Sequence, residues 1–458
     1  MALLVGVTVF CAALFGILTR IPDFLATFWP ANALMLGLML RWPRLAHPLG
    51  WLAGATGFLT ADLLTGSTLF KTAVLTAANL AGIAAGYVAA RHLDIADRGL
   101  RRPSSVIRMI LVIVVAAVAA ACGGAIANPI LFGLPPGDGW VTWFATELVN
   151  YIAILPVVLT IPVRPGRLRI PAPDWPMLAP LAALAASAGI AVLIGGPGAI
   201  AFPVPALLWC ALRYGLFANA LIAFGISAVM LIGLATGAIA MPPEIAGQHA
   251  LISLRIGVTL IALTPIAISS VMADRAVMMQ RLHEMATRDQ LTGVANRRHF
   301  DHEAREAMDR AAAAGQPVAA MMLDIDRFKA INDTHGHAIG DEVLKAFTRQ
   351  VSAMLRPGDL FARVGGEEFA VILPGMMADE AAALAERVRQ AIADQAMNLP
   401  DGRLLRVTVS IGVAVAAEFG TGPSPLLIEA DRALYDAKEA GRDRVAHRLV
   451  PRAAWAGA

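Results

Sequence analysis

Over the first 272 positions apolar residues come in long stretches separated by short polar ones; beyond that point the runs shorten and gain polar faces. The long stretches fall near 2–19, 24–40, 47–64, 72–90, 107–131, 141–163, 177–195, 199–212, 217–240 and 250–272. A helix needs about 17–25 apolar residues to cross a bilayer, so residues 1–272 predict an α-helical polytopic membrane bundle of about eight to ten helices. The uncertain member is 199–212, which is short and contains proline. The first stretch lacks a basic start and a small-residue cleavage site, and reads as an anchor rather than a removed signal. Next, Val271, Arg275, Met278, Leu282 and Met285 alternate in spacing by four and three. That is an a/d seam of roughly two heptads, and it predicts a signalling helix over 273–287 that pairs two chains.

In the second half, helix and strand patterns alternate. A helix is expected to about Ala314, and an apolar strand from Pro317 to Leu323 ends at Asp324-Ile325-Asp326. Helical patterns then open near Ile331, run on from Asp341 and stop before Pro357. Leu360–Phe361 and Ala370–Leu373 flank Arg363-Val364-Gly365-Gly366-Glu367-Glu368-Phe369, which predicts a hairpin, because glycine tolerates the positive φ of tight turns. A helix over Ala378–Ala396, a strand over Leu405–Ala416 and a helix over Leu426–Ala440 follow. The order βαββαβ is that of an α+β domain of ferredoxin-like or polymerase-palm type, with an antiparallel sheet and helices on one face.

Charge separates the same two halves. The chain is 57% hydrophobic and 16% charged, yet residues 1–272 hold 22 charged residues and residues 273–458 hold 49. The net charge of +3 arises from +6 on the apolar half and −3 on the other, which gives no footprint for nucleic acid. Basic residues also orient the bundle. Arg41, Arg44, Arg91, Arg98, Arg101, Arg102, Arg108, Arg164, Arg167, Arg169 and Arg213 fall in alternate loops, while the intervening loops hold only Arg20 and Lys71. Short cytoplasmic loops collect such residues, so both ends of the bundle and the second half are expected in the cytoplasm. Cys11, Cys122 and Cys210 lie inside apolar runs and suggest neither a disulfide framework nor a metal site. Asp62, Asn79, Asn128, Glu147, Asn150 and Arg255 sit at membrane depth. Polar groups there are costly, and Glu147 and Arg255 are candidates for ligand sensing, against the plainer reading of contacts that hold helices together.

The candidate chemistry centres on the hairpin. Two adjacent carboxylates after a glycine turn repel one another, and a cation or a proton is their natural companion. The run Gly365-Gly366-Glu367-Glu368-Phe369 resembles the signature of the GGDEF family of diguanylate cyclases in its GGEEF form. Four further blocks agree in order and spacing: Asp289 to Phe300, Asp324 to Leu344, Ser410-Ile411-Gly412, and Ala430 to Arg442. The resemblance covers about 288–446, departing slightly at Val294-Ala295 and at Arg327, and leaves 447–458 as a disordered tail. In the first half, Phe28-Trp29-Pro30-Ala31-Asn32 and the run from Trp140 to Pro156 resemble the bacterial MASE-type membrane sensor domains.

The GGDEF resemblance implies that two GTP molecules, one on each of two facing domains, become cyclic di-GMP and two pyrophosphates. Such transfer requires a neutralised triphosphate and an aligned hydroxyl. Hard cations with oxygen ligands suit that task, two Mg²⁺ per GTP with Mn²⁺ as a substitute. Asp324, Glu367 and the Ile325 carbonyl are the expected ligands, Glu368 a second metal-facing carboxylate, and Glu367 an aid to deprotonating the ribose 3′-hydroxyl. By resemblance Asn332 and Asp341 read guanine, Lys329, Lys438 and Arg442 hold phosphates, and Gly365 and Gly366 bound the substrate. Taken alone, Asn332 is equally a helix cap, and Lys438 and Arg442 a solvated helix face.

Arg356-Pro357-Gly358-Asp359 reads as a type II turn. It also resembles the family's R-x-x-D inhibitory site for cyclic di-GMP, with Arg387 as a further contact. No G-x-x-x-x-G-K-[ST] loop is present, His335-Gly336-His337 lacks further zinc ligands, and no phosphodiesterase segment is expected after Val445. Together these features predict a homodimeric diguanylate cyclase in a bacterial inner membrane. The competing readings are a silent nucleotide-binding receptor and a transporter with a regulatory tail.

Overall fold

The structure is a computed structural model that describes residues 2–19, 28–162, 175–242, 248–398, 404–416 and 423–450. Arg20, Arg164, Arg167, Arg169, the outer ends of several apolar stretches and residues 451–458 lie outside that set. The chain divides into two compact units, Met1–Val277 and Met278–Ala458.

The first unit is helical: α1 (Ala2–Leu18), α2 (Pro30–Arg41), α3 (Pro48–Leu64), α4 (Leu69–Ala90), the short α5 (Ile95–Arg98), α6 (Pro103–Phe132), α7 (Pro136–Thr160), α8 (Trp175–Ile194), α9 (Val204–Arg213), α10 (Leu216–Ala235) and α11 (Gln248–Thr287), whose residues from Met278 on belong to the second unit. Each apolar stretch of the sequence thus contains a helix. Among the described residues six of them, α4, α6, α7, α8, α10 and α11, are long and apolar enough to cross a bilayer. The others are shorter, α2 having 12 residues and α9 having 10. Small residues bring neighbours close, as where Ala116 and Ala120 of α6 meet α4 at Gly82. Near the arginine-rich loops, Arg108 pairs with Asp97, Ser105 Oγ donates to Asp97 Oδ1 at 2.8 Å, and Ser270 Oγ of α11 donates to the Arg102 carbonyl at 2.8 Å.

The second unit contains α12 (Arg297–Ala313), α13 (Phe328–His335), α14 (His337–Met354), α15 (Ala378–Asp394) and α16 (Ser424–Glu439). Its strands are β1 (Ala295–Asn296), β2 (Val318–Ile325), β3 (Leu360–Arg363), β4 (Glu368–Pro374), β5 (Met397–Asn398), β6 (Leu404–Leu405), β7 (Val409–Ala416) and β8 (Val445–Leu449). The main sheet has the order β1-β3-β4-β2-β7-β8. Its centre is antiparallel and follows the expected βαββαβ path, but β1 joins β3 and β8 joins β7 in parallel, so the sheet is mixed. Strand β8 runs to Leu449, beyond the boundary expected at 446, because β7 would otherwise be an uncovered edge.

Helices cover both faces of the sheet rather than one. Met321, Leu323 and Ile325 of β2 join Val343 and Phe347 of α14 and Leu384 and Val388 of α15. Val318 and Ala320, pointing the other way, join Phe300 and Ala304 of α12 and Leu426 and Ala430 of α16. Burial on both faces makes β2 and β7 almost continuously apolar. Gly412 of β7 lies directly under α16, where a Cβ would meet the Ala430 carbonyl oxygen and the Leu434 nitrogen.

Candidate active site

Three segments converge at the end of β2. In register, Asp324 lies between Glu368 of β4 and Ser410 of β7, and Glu367 precedes Glu368 in the hairpin turn. The Ile325 N–H donates to the Glu367 carbonyl at 3.4 Å, tying the turn to the strand end. From the last turn of α16, Lys438 Nζ reaches Asp324 Oδ2 at 2.7 Å. Asp324 is 6% exposed. Burial pushes its carboxyl above the usual range; the Lys438 hydrogen bond and charge oppose this, and Glu368 and Asp326 reinforce it. Glu367 is pushed up in the same way, first by burial and then by Asp324, with Lys438 opposing.

Three carboxylates, Asp324, Glu367 and Glu368, crowd around the single ammonium of Lys438, so their charge is only partly offset. The donors are all hard oxygens, which fits Mg²⁺ or Mn²⁺ rather than a thiophilic ion.

The glycine turn differs from the sequence reading in its cause. Neither Gly365 nor Gly366 is among the residues with positive φ. A Cβ on Gly365 would crowd the Glu368 side chain and force its carboxylate to shift, whereas a Cβ on Gly366 would meet nothing. The N–H groups of Val364 and Gly365 both donate to the Glu368 carbonyl, at 2.9 and 3.2 Å. Arg363 clamps this tip from below. Its Nε and Nη2 donate to the Gly366 carbonyl at 3.0 and 2.6 Å, and its Nη1 pairs with Asp289 Oδ1 at 3.1 Å. Asp289 also accepts from the Thr292 N–H and hydroxyl, and these donors together with Arg363 hold its carboxyl below the usual range against its partial burial.

Asp326 is the second tie. Its Oδ1 accepts from Ser410 Oγ at 2.7 Å, and its Oδ2 from Thr408 Oγ1 at 2.7 Å and the Asp443 N–H at 3.0 Å. That fixes the loop after α16, where Arg442 and Asp443 carry positive φ values of 65° and 45°. A backbone held in this sparsely populated region needs such a constraint. Arg389 Nη1 grips Asp443 Oδ1 from α15 at 2.6 Å. Asp326, Arg363, Arg389 and Asp443 stand outside the site residues expected from sequence. Their partners lie up to 117 positions away, and only the D-x-D spacing and the arginine before the turn hint at them.

The structure therefore brings Asp324, Ile325, Glu367, Glu368, Lys438, Gly365 and Gly366 together. Arg442 is exposed in the loop that Asp326 holds. Lys329, Asn332 and Asp341 are carried by α13 and α14, with Asn332 packed against Gly340 and Lys329 and Asp341 exposed. Among the described residues no hydrogen bond joins them to the carboxylates.

Arg356 and Asp359 sit at the opposite end of the β3–β4 hairpin. Gly358 has φ 108° and the Asp359 N–H donates to the Arg356 carbonyl at 3.1 Å, as a type II turn requires. The Asp359 side chain is only 1% exposed. Both its oxygens are taken, by the Arg356 N–H at 2.9 Å and Nε at 3.1 Å, while Arg356 Nη2 donates to the Pro374 carbonyl at 2.6 Å. The pair borders a groove of about 620 Å³ whose other wall includes His283, Glu284 and Arg288 at the end of α11. Arg387 is exposed on α15 and is not bonded to this pair.

In the membrane unit Glu147 Oε1 accepts from Asn32 Nδ2 at 2.7 Å, and Asn79 Oδ1 accepts from the same nitrogen at 3.0 Å. Arg255 is half-buried elsewhere, on α11.

The comparisons with known proteins divide at the same place. Residues 286–444 match the family described as "Diguanylate cyclase, GGDEF domain", and residues 1–274 match MASE1, a membrane domain, which makes this a multi-pass membrane protein. A probable diguanylate cyclase, DgcF of Escherichia coli O157:H7, is 32% identical over 439 residues, covering 93% of this chain and 90% of that protein. DgcF of Escherichia coli K12 is 35% identical over 309 residues, covering 66% of this chain and 95% of that protein. A crystal structure of the coiled coil and GGDEF domain of DgcB from Caulobacter crescentus, in complex with c-di-GMP, covers 40% of this chain and 98% of its own, at 32% identity and a TM-score of 0.38. With the catalytic and membrane units each matched by its own family and a relative aligned along nine-tenths of both chains, this protein belongs to the diguanylate cyclases that carry a GGDEF domain behind a MASE1 membrane domain.

Proposed function

We propose that two copies of this chain face each other at the inner membrane, cyclase units in the cytoplasm, and that each supplies one GTP to a shared reaction. Each ribose 3′-oxygen attacks the α-phosphorus of the other nucleotide, releasing two pyrophosphates and closing cyclic di-GMP. The convergence of Asp324, Glu367 and Glu368 with Lys438 on one strand end carries this reading. Asp324, Glu367 and the Ile325 carbonyl would hold Mg²⁺, two ions per nucleotide with Mn²⁺ able to replace them, and the metal supplies charge neutralisation to the triphosphate. Glu367, with its carboxyl pushed up, is suited to accept the 3′-hydroxyl proton. Lys438, Arg442 and Lys329 neutralise phosphate oxygens. Gly366 leaves room for substrate at the turn, and Asn332 of α13 and Asp341 of α14 meet guanine.

Two observations support regulation. Val271, Met278, Leu282 and Met285 of α11 are 47–66% exposed, an apolar seam suited to a second copy and to passing a signal from the MASE1 unit. The groove at Arg356 and Asp359 has room for cyclic di-GMP, and feedback there reaches the catalytic turn along the β3–β4 hairpin, about 13 Å for four residues. Mixing wild-type chains with Glu367→Gln chains before assembly tests the shared reaction. Activity should fall as the square of the wild-type fraction, and a linear fall would refute it.

A further inference from the structure

Where α1, α3 and α6 end and α2, α4 and α7 begin, the membrane unit holds a cavity of about 280 Å³. Its walls include Trp29, Lys71, Asn79, Phe132, Trp143 and Glu147. The volume is that of about nine water molecules at ~30 Å³ each. All these elements meet at the end of the bundle away from Arg41, Arg44 and the arginines before α6.

Glu147 is 3% exposed, and among the described residues only one of its oxygens is satisfied: Asn32 holds Oε1, while Oε2 is buried with no partner among them. Asn79 Oδ1, 6% exposed as a residue, already accepts from Asn32 and keeps a second lone pair. The polar wall thus offers acceptors and the Glu147 carboxylate, beside the ammonium of Lys71. Lys71 lies 5.3 Å from the Phe132 ring. A cluster that only bolted helices together would satisfy its own acceptors, since an unpaired buried polar atom is costly.

We propose that this cavity binds a small organic ammonium ion, whose N–H groups meet Glu147 and Asn79 and whose apolar body lies against Trp29, Trp143 and Phe132. An ammonium has several donors on one centre and is attracted to aromatic faces. On the orientation proposed above the ligand would enter from outside the cytoplasm, but the binding does not depend on that reading or on cyclase activity.

The test uses the full-length protein in nanodiscs with phenethylammonium, butylammonium and methylammonium, and with 2-phenylethanol and phenylacetate as uncharged and anionic counterparts. Thermal unfolding and tryptophan fluorescence are followed. At least one ammonium should raise the unfolding midpoint saturably while the other two compounds do not. Glu147→Gln should weaken that binding roughly 10- to 100-fold, the equivalent of one charge-assisted hydrogen bond. Leu75→Trp, which fills the cavity from α4, should abolish it, and decides the matter if the Glu147 variant fails to fold. Absence of binding by all three ammonium ions, equal binding of 2-phenylethanol or phenylacetate, or unchanged affinity in either folded variant would overturn the proposal.

Discussion

Replacing Arg363 with methionine removes the clamp under the catalytic turn while keeping an unbranched side chain of similar length. Three contacts are lost, two to the Gly366 carbonyl and one to Asp289, from a side chain that is 15% exposed. A hydrogen bond to a charged group contributes about 1.5–3 kcal/mol. The three do not add, because Gly366 is exposed and water replaces the guanidinium there, and Asp289 keeps both Thr292 donors. A net loss of about 2–3 kcal/mol at the tip is expected. Since Glu367 follows Gly366 directly, the loss falls on the position of the carboxylate proposed to take part in the reaction. A misplacement of about 1 Å can cost roughly 10²-fold in rate, or about 2.7 kcal/mol of barrier. The expected outcome is a fall of roughly 10²-fold in initial cyclic di-GMP production at saturating GTP, with KM changed far less. Arg363→Lys keeps the charge opposite Asp289 but has no fork for the Gly366 carbonyl, and should fall between. Turnover of Arg363→Met within about threefold of wild type, at an unchanged unfolding midpoint, would refute the positioning argument.

Gly412→Ala drives a methyl group into the backbone of α16 and should destabilise the cyclase unit by about 3 kcal/mol or more, so an unchanged unfolding midpoint contradicts the packing described. Glu367→Gln tests the electrostatics. A carboxyl whose folded pKa is raised contributes stability at low pH and loses it as pH rises through that value, so at neutral pH without divalent metal the ionised Glu367 weakens the fold. The variant should therefore unfold at a higher temperature than wild type at pH 7 in chelator. The gap should close on acidification or when Mg²⁺ is added, and an unfolding midpoint below wild type in chelator contradicts the sign. Arg356→Ala frees Asp359 and removes one of the two arginines bordering the groove, and should raise the cyclic di-GMP concentration needed for inhibition at least about tenfold. Undiminished inhibition removes feedback from the account.

What the sequence made legible was governed by local pattern. Apolar stretches located the membrane helices, because the bilayer sets their length and composition. Alternation, together with the spacing of the Gly365–Phe369 turn, located the central strands and the carboxylates at their ends. Contacts between distant segments were not legible. Asp326 looks like half of a D-x-D metal pair, yet its oxygens are used by Thr408, Ser410 and Asp443, 82 to 117 positions away. Gly412 has no turn to explain it until α16 lies across it. The pattern over Leu405–Ala416 marks the strand that contains β7, but not that helices cover both of its faces, which makes all its positions buried. Asp359 reads as an exposed turn residue, whereas the turn folds its side chain inward against Arg356. Glu147 stood out because a lone charge in an apolar run is costly; its partner Asn32 precedes it by 115 positions, too far for any local pattern to join them.

The most direct measurement is mass spectrometry of the full-length protein, purified in detergent, after incubation with GTP and Mg²⁺. Wild-type protein should yield cyclic di-GMP and pyrophosphate, and Glu367→Ala should yield neither while retaining the wild-type fold by circular dichroism. Equal product from the variant, or no product from wild type even when residues 278–458 are held in pairs by a fused dimeric coiled coil, would contradict the central claim.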